Sequence, residues 1–197
     1  MLNRLLCVIV GLMLMAGLSS ATCVAGQWQK MDGVTEVCTD CLKGTYQPTP
    51  GAGECFIAPA ATYVSAAKSE SVSYCAAGTF SATVGAVAAS ACQDCPVGTF
   101  SLQPGSTTCI MCPAGFSSGT PGSTTCVPCA AGTWSPAGTE TCLDCPVGTF
   151  SRGGWDSCMP CMPGSYSNSA GSAVCAACAT GEEQMVAGAT SCSTCSV

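Results

Sequence analysis

The chain has one continuous apolar run, Leu5 to Leu18, and nothing of that kind recurs after residue 22. Beyond it, polar and apolar positions show neither the 3.6-residue period of an amphipathic helix nor the sustained alternation of a long strand. What recurs is short: a Gly, a small polar residue and an aromatic, as in Gly44-Thr45-Tyr46 and Gly98-Thr99-Phe100. Gly and Pro at fixed places predict tight turns, and the aromatic is spaced to leave each turn on a brief extended segment. The predicted elements are therefore short strand pairs, with little or no helix outside the first 21 residues.

The apolar run follows Arg4 and is followed by Ser19, Ser20 and Ala21. A short positive end, an apolar stretch and a small-residue exit make residues 1–21 a secretory signal peptide, cleaved after Ala21. Its fourteen apolar residues fall short of the roughly 20 that a membrane-spanning helix needs. The ending SCSTCSV is neither a hydrophobic tail nor a lipid-anchor signal. The mature product, 22–197, is thus expected to be secreted and extracellular, where disulfides are the default state of its 19 cysteines.

Those cysteines keep a beat. Cys92, Cys109, Cys126, Cys142, Cys158, Cys175 and Cys192 are 16 or 17 residues apart, and each is followed three residues later by another, giving an array of CxxC steps. Self-similarity at a fixed period marks a repeat architecture. The text between the cysteines repeats too: CPVGTFS occurs at 95–101 and 145–151, and PGSTTC at 104–109 and 121–126. A Gly stands three residues after each opening cysteine, and in most units a second stands four before the closing one, as Gly98 and Gly105 do between Cys95 and Cys109. The first unit, CVAGQWQKMDGVTEVC, begins at Cys23.

Between Cys55 and Cys75 the beat continues without sulfur. Ala58 and Val72 fall where the cysteines belong, Ala61 where Gly belongs and Tyr63 where the aromatic belongs. Both cysteines of one unit are missing together. If each bond joins the opening to the closing cysteine of a unit, this joint loss strands no thiol, whereas bonds inside CxxC steps would orphan a partner. The resulting pairs are Cys23/Cys38, Cys41/Cys55, Cys75/Cys92, Cys95/Cys109, Cys112/Cys126, Cys129/Cys142, Cys145/Cys158, Cys161/Cys175 and Cys178/Cys192. A direct Cys55/Cys75 bond in an interleaved ladder stays open at this point. The units are then 23–38, 41–55, a degenerate 58–72, 75–92, 95–109, 112–126, 129–142, 145–158, 161–175 and 178–192.

A loop of about 15 residues closed by one disulfide gains on the order of 3 kcal/mol. Ordering its backbone costs roughly 1 to 2 kcal/mol per residue, so the remainder must come from stacking between units. From residue 22 onward the chain has three Leu (Leu42, Leu102, Leu143) and two Ile (Ile57, Ile110), too few large aliphatics for an ordinary core. The fold class is therefore small and disulfide-rich: an elongated, solenoid-like rod of about ten short two-stranded, single-disulfide repeats. Each unit is expected to touch only its neighbours, with the repeat aromatic covering the neighbouring disulfide.

The pattern CPxGTFSxxxGxxxCxxC resembles the cysteine-rich repeat of the ephrin-receptor-like type. It is similar to the single-disulfide half of tumour necrosis factor receptor repeats, within the wider growth-factor-receptor cysteine-rich class. The resemblance runs over residues 23–195. It implies an extracellular module of receptors, adhesion proteins and surface coats, in which the cysteine before PxGTY bonds to the next one along. The two-disulfide half found in tumour necrosis factor receptors is absent.

Composition narrows function further. The chain has no His, so imidazole catalysis, His-ligated metals and His switching are excluded. Beyond the leader only Lys30, Lys43, Lys68 and Arg152 are basic, which excludes a nucleic-acid surface. No nucleophile stands with a base, and no phosphate loop is present, so no catalytic residues, no cofactor and no enzyme activity are expected. Asp40, Asp94 and Asp144, one per unit, and Glu182 and Glu183 read as solvated charge rather than a calcium site. CxxC pairs could hold zinc in a reducing compartment, the competing metal-binding reading. Asn168-Ser169-Ala170 is not a glycosylation sequon. Trp155, beside Arg152, is the candidate contact residue for an extracellular protein or glycan. Cys195 is left unpaired where a further unit would open. It is read as a sign that the natural chain continues, as a bond to a disulfide-linked partner, or as a lone thiol. On the first of these the chain is the N-terminal part of a larger receptor or coat protein.

Overall fold

The computed structural model describes residues 22–195. The leader assigned to 1–21 lies outside the described residues. Among those described, the chain forms ten two-stranded antiparallel sheets and one 3-10 turn at Ala89–Ala91, stacked as a repeat rod. No helix among them is long and apolar enough to cross a membrane.

The first sheet is a hairpin of two six-residue strands, β1 (Gln27–Asp32) and β2 (Thr35–Asp40), turned at Gly33. The other nine are pairs of two-residue strands. In one, Thr99–Phe100 runs against Ile110–Met111, Thr99 opposite Met111 and Phe100 opposite Ile110. The first strand of each pair leaves the Gly turn, and the second is the xx of the CxxC step. In every unit but 58–72 one disulfide closes the loop between the strands, and the structure joins Cys23–Cys38, Cys41–Cys55, Cys75–Cys92, Cys95–Cys109, Cys112–Cys126, Cys129–Cys142, Cys145–Cys158, Cys161–Cys175 and Cys178–Cys192. Their Cα–Cα distances fall between 5.4 Å (Cys23–Cys38) and 5.8 Å (Cys41–Cys55), the ordinary span of a disulfide.

Stacking is done by the backbone. At the seam between 95–109 and 112–126, Gly98 N–H donates to the Ser118 carbonyl (2.7 Å), Ser101 N–H to the Ser123 carbonyl (3.1 Å) and Gly122 N–H to the Cys95 carbonyl (2.8 Å). A fourth bond, Cys112 N–H to the Gly98 carbonyl (2.9 Å), turns the chain from one unit into the next. The same set recurs at every seam, including those of 58–72, where Ala61 N–H donates to the Ser81 carbonyl and Lys68 N–H to the Cys41 carbonyl. Burying these amides is tolerable because each finds a carbonyl across the seam.

The interior is sulfur, small side chains and backbone. The opening cysteines Cys23, Cys41, Cys75, Cys95, Cys112, Cys129, Cys145 and Cys161 are buried, as is Ala58 in the degenerate unit. Cys178, behind which no complete unit is described, is only half-buried. The repeat aromatics, expected to form the cover, are themselves half-buried. The 75–92 loop is longest; its Gly85, seven residues before Cys92, donates to the Ala58 carbonyl as the second Gly does elsewhere. The extra residues are taken up near the 3-10 turn.

Contact is not limited to neighbours, which corrects the nearest-neighbour expectation. A Cβ placed on Gly132 would overlap the carbonyl of Gly171, two units on, and the same holds for Gly78 against Gly122, Gly98 against Gly138 and Gly148 against Gly188. These glycines are required twice over, by a left-handed φ and by a neighbour two units on that leaves no room for a side chain. Gly181 has the same backbone, φ 87° against 88° for Gly132, but nothing within 4 Å of its Cβ position. Gly132→Ala is therefore expected to cost about 2 to 5 kcal/mol, summing strain and overlap, and Gly181→Ala only about 1 to 2 kcal/mol. Denaturant midpoints of the oxidised variants measure the difference; equal shifts would remove the second-neighbour packing from the account.

Candidate functional site

A row of polar side chains runs down the rod's interior. The third residue after the repeat Gly is buried Ser at 81, 101, 118, 135, 151 and 167, and buried Gln at 47. While Ser135 Oγ donates back to the Phe116 carbonyl of the preceding unit at 3.0 Å, most of the Ser hydroxyls bond the loop that follows them, Ser101 Oγ lying 2.6 Å from Ser106 Oγ and Ser151 Oγ accepting from Gly153 N–H at 3.1 Å. Gln47 does the same with a longer arm, its Nε2 donating to the Glu54 carbonyl and its Oε1 accepting from Thr49 N–H at 2.9 Å. These residues shape the loops and leave no buried side-chain polar atom unsatisfied among those described. Their signal in the sequence is the Ser that follows GTF or GTW at four of those places, 81, 101, 135 and 151.

The outer surface carries the apolar groups that the interior has no space for. The residue after the closing cysteine is exposed in every unit but the first, where Thr39 is half-buried, and in five units it is large: Phe56, Ile110, Val127, Leu143 and Met159. Ile110, Val127, Leu143 and Met159 hold one register position on four successive units, and Phe56 holds it earlier in the rod, with Ser73 and Gln93 between. Four of them pair across the strands with the repeat aromatic: Phe56 with Tyr46, Ile110 with Phe100, Leu143 with Trp134 and Met159 with Phe150. Cross-strand aromatic and aliphatic neighbours of this kind give an apolar strip over 99–160, with the Tyr46/Phe56 pair a separate patch before it. The rings of Tyr46 and Phe56 stand 5.9 Å apart in a tilted arrangement.

Trp155 lies at the edge of this strip. Its ring is half-buried, 5.7 Å from that of Phe150. With Ala114, Gly154, Asp156, Ser157 and Met159 it lines an open groove of about 470 Å³. Ala114 belongs to a loop two units earlier, so the groove lies on the second-neighbour seam where Gly115 meets the Gly154 carbonyl. Arg152 is exposed and is not among the residues lining that groove. A second, apolar groove of about 350 Å³ runs between the first two loops, past Trp28, Leu42 and Cys55.

Among the described residues no group of three or more His, Cys, Asp or Glu is placed to hold a metal ion. All described cysteines except Cys195 are in disulfides, which removes the thiolates that the zinc reading needs. Cys195 is exposed, and its N–H donates to the Gly181 carbonyl at 3.0 Å, as each opening cysteine does to the Gly before it.

A stack of single-disulfide loops with a backbone-bonded interior and an apolar outer strip defines a cysteine-rich repeat array with a structural or binding role. The profile of the "Tyrosine-protein kinase ephrin type A/B receptor-like" family matches residues 78–129 and 148–195, half of the chain, and the chain belongs to that family. It is also similar to "Sushi, von Willebrand factor type A, EGF and pentraxin domain-containing protein 1" of Mus musculus, 35% identical over 74 residues. The Rattus norvegicus protein of the same name is 34% identical over 73 residues. The match covers 38% of this chain with the first and 37% with the second, and about 2% of the length of each relative. The family's repeats are of extracellular, receptor-like type.

The buried polar row makes its own prediction. Gln47→Ala orphans two backbone groups in a closed site and is expected to cost about 2 to 4 kcal/mol. Gln184 makes the equivalent bonds, to the Ser191 carbonyl (2.8 Å) and from Val186 N–H (3.0 Å), but is half-buried. Water can replace it there, so Gln184→Ala should cost less than about 1 kcal/mol. Urea unfolding of the two variants, side by side, checks the ratio.

Proposed function

We propose that this chain is a secreted or cell-surface structural and binding protein, a rod that presents its exposed strip to another extracellular protein or to a glycan. The observation that carries this reading is the line of exposed Ile110, Val127, Leu143 and Met159 on four successive units beside the repeat aromatics, with Phe56 at the same register position earlier in the rod. Apolar side chains aligned over several units form the kind of contiguous patch that marks interaction surfaces. Trp155 and its groove extend the strip and supply an aromatic anchor, and Arg152 adds a charge beside it in sequence. The ten units bounded at 23–38, 41–55, 58–72, 75–92, 95–109, 112–126, 129–142, 145–158, 161–175 and 178–192 are the spacing elements of the rod. A partner linked through Cys195 belongs to the same proposal.

A second reading treats the chain as the first part of a larger receptor or surface-coat protein. Its support is the size of the relatives, of which the matching stretch is about 2%. Both readings use the same surface.

The test is direct. Tagged, oxidised protein is applied to live cells and to an immobilised glycan panel, next to a variant with Ile110→Ser, Leu143→Ser and Met159→Ser. Exposed positions of this kind tolerate Ser, so the variant should be secreted normally and lose about tenfold in binding. Equal binding by variant and wild type, or no binding by the wild type to either target, contradicts the proposal.

A further inference from the structure

The segment between Cys55 and Cys75 differs from the rest of the rod in covalent terms. Elsewhere two residues separate consecutive rings, as between Cys92 and Cys95 or Cys126 and Cys129; here nineteen residues, 56–74, pass without a disulfide. The segment keeps its seam hydrogen bonds and buries Ala58, Ala61, Thr62 and Val64, so it is folded by packing alone. It also holds the only two non-Gly residues with positive φ among those described, Ala61 at 63° and Lys68 at 58°. Both stand at places where other units have Gly, and left-handed backbone is unfavourable for a residue with a Cβ. A unit with no ring and two such residues is the one that opens most readily.

Lys68 matters for a second reason. Lys30, Lys43 and Arg152 lie inside the rings closed by Cys23–Cys38, Cys41–Cys55 and Cys145–Cys158. A cut after any of these leaves both ends tied by the disulfide. Lys68 is exposed and lies inside no ring.

We propose that 58–72 is the opening joint of the rod and that Lys68–Ser69 is a processing site for a trypsin-like protease, the one basic site at which a single cut divides the described array. Water is the co-reactant: the Lys68 carbonyl carbon gains hydroxyl, the C–N bond breaks, and Ser69 leaves with a new amino group. The cut needs 58–72 to leave its place, since Lys68 N–H is bonded to the Cys41 carbonyl and the Lys68 carbonyl packs against Gly26. Severance parts the first two loops from the seven-ring remainder, and that remainder keeps Ile110, Val127, Leu143, Met159 and Trp155 together.

The oxidised, secreted protein is treated briefly with trypsin and run denatured without reductant. Two fragments should appear, the second beginning at Ser69, while Lys68→Gln stays a single band. Ala58→Cys with Val72→Cys closes a tenth ring; it should hold the halves together and slow cutting at Lys68 by about tenfold. On the unmutated chain, amide hydrogen exchange should be faster in 58–72 than at the equivalent positions of 95–109. A wild-type chain that stays one unreduced band, a Lys68→Gln chain that still divides, or protection in 58–72 equal to that in 95–109 overturns the proposal.

Discussion

The covalent and hydrogen-bonded lattices of this rod cross at one residue per unit, the opening cysteine. Cys95 shows how. Its sulfur closes the ring to Cys109, its N–H reaches back to the Gly78 carbonyl, and its own carbonyl receives Gly122 N–H from the unit ahead. All of this happens with the side chain fully buried. One residue thus fixes the loop it opens, the unit before and the unit after. Ala58 occupies the same crossing with both backbone bonds and no sulfur, receiving Gly85 N–H and donating to the Gly44 carbonyl. Neighbours with rings hold it in register, so a unit without a disulfide persists inside a ladder of disulfides.

This arrangement inverts the usual placement of side chains. With backbone, sulfur, Ser and Gln filling the middle, large aliphatic groups have no interior to enter, and Ile110, Met111, Leu143 and Met159 face outward. The exposed strip is therefore a consequence of the folding solution and also the surface it offers to partners. Second-neighbour packing at Gly115 and Gly154 gives that surface its relief, because it brings Ala114 to within reach of the Trp155 groove.

Much of this was legible in the spacing of Cys and Gly. The period, the two-stranded units, the near absence of helix and the sulfur-free unit all follow from counting, because a rigid repeat imposes its geometry on every copy. Other features were hidden for physical reasons. Gly132 reads as a turn residue, and its second duty, making room for the Gly171 carbonyl, depends on how tightly the stack packs, which spacing does not encode. Buried Ser is hidden because Ser is ordinarily a surface residue, although its recurrence after the aromatic was visible. The repeat aromatics are half-buried, and Trp28 and Tyr63 each line a groove with both cysteines of the following ring, Cys41 and Cys55 for the first and Cys75 and Cys92 for the second. Trp155 was singled out for its rarity, and the structure places it in a groove; Arg152, its neighbour in sequence, lies outside that lining.

The central claim is that one sulfur bridge per loop, multiplied by the backbone bonds it holds in register, stands in for a hydrophobic core. Small-angle scattering of the secreted protein before and after complete reduction and thiol blocking tests it most directly. Oxidised protein should scatter as a stiff rod of constant cross-section. The blocked chain should lose that cross-section and swell toward the roughly 45 Å radius of gyration of an unfolded chain of this length. A blocked chain that keeps the rod's cross-section would contradict the account.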